Sequence, residues 1–155
     1  MALAEDMLEQ AKLLATIDRT RPRQASLRRS VSTTYYALFY LLTSATAANW
    51  KNRHQRLTFA RSLDHGRMHR ASTKTVSSKF PSAPGTVAAD LRMVARAFAK
   101  LQELRHMADY DGNKKWSRTE TLETVDLAAV AFKCWKAVSK EKIAQDYLLQ
   151  LLVQR

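Results

Sequence analysis

Between Ser26 and Ala48 apolar side chains recur at three- and four-residue steps, as Leu27, Val31, Tyr35, Leu38 and Leu42. That period is the signature of one face of an α-helix. The same spacing returns at Leu3, Met7, Ala11 and Leu14, at Val87, Leu91, Val94, Phe98 and Leu101, and at Leu122, Val125, Ala129, Phe132 and Trp135. The residue supply agrees with it. The 155-residue chain holds 23 Ala and 19 Leu but only 8 Val, 2 Ile, 3 Gly and 3 Pro. Ala and Leu favour helices, whereas sheets draw on β-branched residues. The expected fold is all-α, an up-and-down helical bundle of four to five helices in a single domain over residues 1–155.

Local signals divide the chain. A first helix is expected over about 2–17, then a basic connector, Arg19 to Arg23, containing Pro22. A second helix covers about 26–48, and residues 50–74 read as one or two short basic helices bent near Gly66. Thr75 to Thr86, with Pro81, Pro84 and Gly85, is the main loop. The next helix covers about 87–108, and Asp109 to Trp116 forms a turn centred on Gly112 and Asn113. Ser117 and Glu120 have capping-box spacing and open a last helix that runs from about 118 to at least 149.

Several chemistries are excluded at this point. Gly66, Gly85 and Gly112 are far apart, so neither a Walker loop nor a dinucleotide-binding fingerprint exists. A lone Cys134 permits neither an intrachain disulfide nor a cysteine-based zinc site. The longest apolar run, Tyr35 to Leu42, is too short to span a membrane. The opening MALAEDMLEQAKLL carries acids where a secretory leader carries bases, so the cytoplasm is the expected location.

Charge is the strongest functional signal. The net charge is +12, and the segment from Arg19 to Lys74 contains 12 Lys/Arg against the single acid Asp64. So uneven a distribution points to a polyanionic partner, RNA or DNA first.

Two clusters carry candidate chemistry. Arg105, His106, Asp109 and Tyr110 lie together in RHMADYD at the end of a helix. Arg105 falls on the apolar period of its helix, so its side chain is expected at the buried margin with a partner or a task. A guanidinium can clamp a phosphate, and an imidazole can move protons near neutral pH. Asp109, four residues on, is also placed to form an ordinary helical ion pair with Arg105. The second cluster is DHGRMHR, Asp64 to Arg70. His65 and His69 share a helical spacing, but no nearby carboxylate completes a zincin-like motif. A basic surface or a functional loop near Arg105 is the better reading. No metal or cofactor is expected.

Two segments together resemble a known family. Arg28-Arg29-Ser30-Val31-Ser32-Thr33-Thr34-Tyr35-Tyr36-Ala37-Leu38-Phe39-Tyr40 is similar to the RRAVSRAYYALFH helix of HEPN (higher eukaryote and prokaryote nucleotide-binding) domains. Arg105-His106-Met107-Ala108-Asp109-Tyr110-Asp111 resembles the R-x-x-ADYD segment before the last helix in one bacterial branch. The resemblance covers about Arg28 to Val138. It implies a helical bundle of four or five helices that forms a homodimer. It further implies either a metal-independent ribonuclease, often in toxin–antitoxin, antiviral or CRISPR-linked systems, or a non-catalytic partner of a minimal nucleotidyltransferase. Arg105 and His106 match the first half of the family's ribonuclease motif. Tyr110, Asp111 and Gly112 stand where its distal histidine would fall.

The leading expectation is a module of a toxin–antitoxin or defence-type system, with degenerate or weak catalysis and a nucleotidyltransferase partner. It would bind RNA or a nucleotide through Arg28, Arg29, Arg67 and Arg105. The alternative is a metal-independent endoribonuclease using Arg105, His106, Asp109 and Tyr110. A second alternative is a structural, dimerising helical protein whose Arg105–Asp109 pair locks a turn.

Overall fold

The computed structural model describes residues 2–152. Met1 and the end of the leucine-rich tail, 153–155, lie outside the described residues. Seven helices follow one another: α1 (Leu3–Thr16), α2 (Gln24–Ala47), α3 (Arg53–Arg61), α4 (His65–Ser77), α5 (Gly85–Tyr110), α6 (Arg118–Val138) and α7 (Lys142–Gln150). No strand occurs among the described residues, as the Ala- and Leu-rich composition predicts.

Side chains mark the helix starts. Asn52 caps α3 by accepting from the His54 N–H at 2.7 Å, and Asp64 caps α4 by accepting from the Arg67 N–H at 3.0 Å. Ser117 caps α6 by accepting from the Glu120 N–H at 3.0 Å. The reciprocal arm expected of a capping box is replaced. The Glu120 carboxylate accepts from Lys114 Nζ at 3.0 Å instead, which ties the preceding turn to α6.

α1, α2, α5 and α6 form an up-and-down frame. Arg118 at the start of α6 donates to the Ala15 carbonyl at the end of α1, while Lys136 near the end of α6 pairs with Glu5 at the start of α1. These two helices are therefore antiparallel. Arg28 at the start of α2 reaches the Ala108 carbonyl at the end of α5, so that pair is antiparallel too. The stripe Leu27, Val31, Tyr35, Leu38 and Leu42 is fully buried. Each such side chain stabilises the fold by about 1.5–3 kcal/mol relative to exposure.

Two stripes shift from expectation. On α1 the inner face is Ala4, Ala11 and Ala15, and Leu3 is 58% exposed. The small alanines let α2 approach closely enough for Ser30 Oγ to donate to the Ala11 carbonyl at 2.6 Å. On α6 the buried position is Ala128, and Ala129 faces outward. Buried Thr121 and Thr124 share that face because each hydroxyl back-bonds to the carbonyl four residues earlier.

The expected last helix, 118–149, is two helices. Glu141 is extended, with ψ 149°. Its N–H donates to the Val138 carbonyl at 2.8 Å, and the Gln145 side chain donates to the Ser139 carbonyl. The break redirects α7 so that Tyr147, Leu148 and Leu151 become buried. There Tyr147 Oη and Ser72 Oγ lie 2.7 Å apart, joining α7 to α4. With α3 and α4 separate as well, the four to five helices expected become seven. The main loop is also shorter than expected, because back-bonding hydroxyls of Thr75 and Ser77 sustain α4 to Ser77. No helix among the described residues is long and apolar enough to cross a membrane.

Candidate functional site

Arg105 stands where the apolar period places it, with its side chain 13% exposed. Its guanidinium lies 5.3 Å from the centre of the Tyr35 ring and 5.7 Å from that of Tyr36. Aromatic faces attract cations, and the shared contact fixes the side chain without neutralising it. Nη1 donates to Asp109 Oδ2 at 3.2 Å. Nε is buried and has no partner among the described residues.

Beneath the arginine is an aromatic layer. Tyr35 Oη and His65 Nδ1 are 2.6 Å apart, and the His65 ring stacks on Phe39 at 4.9 Å. Burial pushes the Tyr35 phenol well above its ordinary range, so it stays protonated. Burial, and then the Arg105 charge, hold His65 below its ordinary value. Both partners of this hydrogen bond are therefore neutral at neutral pH.

Arg105 opens onto a groove of about 450 Å3 between α4 and α5. Gly66, His69 and Arg70 line one side, and Gln102, Glu103, Arg105, His106 and Met107 the other. His69 Nε2 lies 3.4 Å from Glu103 Oε1. The groove thus joins two guanidiniums and two imidazoles to one carboxylate, a composition suited to an anion.

The expected site residues fall into separate groups. Arg105 and Asp109 form the ion pair, and the His106 and Tyr110 rings lie 4.9 Å apart on the exposed flank. Tyr110 is 70% exposed. Arg29 is exposed on α2. Arg28 spends two nitrogens on the carbonyls of Ala108 and Lys114, and so holds the turn between α5 and α6. Arg67 donates to the Leu152 carbonyl at 3.0 Å. Both have a structural task that residue type alone does not reveal. Arg70, Glu103 and the Tyr35–His65 pair are residues that the sequence reading missed or placed in the core. Arg70 lies one residue beyond His69 within DHGRMHR, so the second cluster held the signal. Compared with known proteins, the chain matches no family model, no curated sequence and no solved structure.

Proposed function

We propose that this protein is a HEPN-like module that binds RNA or a nucleotide through a phosphate held at Arg105. The observation that carries this reading is the guanidinium itself, fixed on two tyrosine rings at a groove it shares with Arg70, His69 and His106. A cation held in place before the ligand arrives loses little freedom on binding. The excess of basic residues between Arg19 and Lys74 adds non-specific attraction for a polyanion. On this reading the protein works in the cytoplasm as a homodimer, beside a nucleotidyltransferase partner in a toxin–antitoxin or defence-type system.

A second reading, a metal-independent endoribonuclease, is favoured by one arrangement. His69 and His106 face the same groove as Arg105, and His69 is paired with Glu103. One imidazole would take the proton of the 2′-hydroxyl as it attacks phosphorus, and the other would protonate the departing 5′-oxygen. His69 would then supply the second histidine that Tyr110, Asp111 and Gly112 do not.

The deciding experiment incubates labelled single-stranded RNA with the protein and with Arg105→Ala, His106→Ala and His69→Ala variants in EDTA. Intact RNA retained by the parent and released by Arg105→Ala supports the binding module. Cleavage lost in all three variants establishes the nuclease. Undiminished binding by Arg105→Ala removes Arg105 from the function.

A further inference from the structure

On the far side of the α3–α4 junction is a second groove, of about 380 Å3, between α2 and α3. Leu63 and His65 line this groove, while Gly66 and His69 line the first, so only the junction separates them. The second groove has an aromatic floor. Tyr40 meets Phe39 edge to face at 5.4 Å and is 38% exposed, and Phe59 forms part of the opposite wall.

Its polar groups are unusual for this helix. The buried Thr34 and Thr46 hydroxyls bond back to the carbonyls of Ser30 and Leu42. Thr43 lines the groove, and its hydroxyl makes no hydrogen bond among the described residues. That hydroxyl is open to the groove and keeps one donor and two acceptor positions for a ligand. Arg56 stands on the α3 wall, and α3 carries Arg53, Arg56 and Arg61 with no acid. Between Arg19 and Leu63 the chain has no Asp or Glu at all.

We infer that the α2–α3 groove is a base subsite for single-stranded RNA. An unpaired base stacks on Tyr40 with its polar edge at Thr43, and the backbone phosphates run along the α3 arginines and over the junction to Arg70 and Arg105. The volume lies within the range of about 300–1,000 Å3 usual for ligand clefts. Aromatic floor, free hydroxyl and cationic wall together suit an unpaired base, because duplex bases are already stacked on each other. This inference rests on the reading that Arg105 contacts RNA.

The test measures anisotropy of a short labelled RNA, single-stranded or in duplex, with Tyr40→Ala, Tyr40→Phe, Thr43→Val and Arg105→Ala variants. Inorganic polyphosphate serves as a base-free competitor, and circular dichroism verifies the fold of each variant. Tyr40→Ala is expected to weaken single-strand binding about tenfold and to leave duplex binding and polyphosphate competition unchanged, while Tyr40→Phe retains the parent affinity. Thr43→Val, close in shape, is expected to weaken the single strand severalfold and keeps the test open if Tyr40→Ala fails to fold. Loss of affinity in Arg105→Ala with no change in the Tyr40 and Thr43 variants overturns the base subsite and leaves the Arg105 reading standing. Equal weakening of every probe by Tyr40→Ala also overturns it. No RNA binding by the parent overturns both.

Discussion

The Tyr35 hydroxyl and His65 Nδ1 share a hydrogen bond of 2.6 Å at the point where α2 meets the start of α4, with Tyr35 fully buried. The bond ties the floor of the Arg105 site to the wall of its groove. Removing the hydroxyl in Tyr35→Phe leaves an imidazole nitrogen without its partner. Urea unfolding is expected to show a loss of about 1–3 kcal/mol, the cost of an unmade buried hydrogen bond. A loss near zero would mean that water takes the place of the hydroxyl.

His65 also sets a pH dependence. Its folded value lies below the ordinary 6.5, from burial first and then Arg105, with Asp64 opposing weakly. The unfolded chain therefore binds more protons as pH falls through 6.5, and the folded state loses stability over that interval. The loss begins near pH 6.5 and ends once His65 protonates in the folded protein as well. Asp18 and Asp64 are both held below 3.8, so they act only in stronger acid. Melting temperatures between neutral and mildly acid pH should fall in the parent, and fall less in His65→Gln. Parallel curves for the two proteins would assign the slope elsewhere.

On the proposed reading, Asp109 competes with a phosphate for Arg105. The pair is partly exposed, so Asp109→Asn should change stability by no more than about 1 kcal/mol. Freed of the carboxylate, Arg105 should bind RNA severalfold more tightly at low salt, measured by anisotropy. Weaker binding would show that Asp109 itself touches the ligand.

Arg28 is bonded into the fold and its neighbour Arg29 is exposed, so the proposed reading gives them different tasks. Arg28→Ala removes two bonds to the α5–α6 turn and should destabilise the protein by about 1–3 kcal/mol, with RNA affinity near that of the parent once folded. Arg29→Ala should leave the melting temperature unchanged and reduce RNA affinity together with its salt dependence. Exchange of these two phenotypes would refute the assignment.

The buried Tyr147–Ser72 bond is the polar link between α7 and α4. Tyr147→Phe leaves the fully buried Ser72 hydroxyl unpaired. Hydrogen exchange should quicken in α4 more than in α1, on the far side of the frame. Uniform quickening would mean that α4 unfolds only with the whole protein.

Much of this fold was legible because burial follows period. Leu27 to Leu42 on α2 and Leu91 to Leu101 on α5 face the core as their spacing predicts, and Arg105 continues that face. Period carries no information about direction. The apolar pattern continues from Trp135 through Tyr147, and only the extended Glu141 turns the chain, so one helix was expected where two exist. The site was legible in half. RHMADYD named the arginine and its ion-pair partner from spacing within one helix. Arg70, His69 and the Tyr35–His65 bond depend on α4 lying beside α2 and α5, a long-range contact that local spacing does not encode.

The last described residues have a consequence for synthesis. α4, one wall of the Arg105 groove, is anchored by Tyr147 through Ser72 and by the Leu152 carbonyl through Arg67. Both anchors are made by the ribosome after every residue that lines the groove. A nascent chain can thus carry Arg70 and Arg105 well before their wall is fastened, and the groove takes its full form only once α7 has been made and docked.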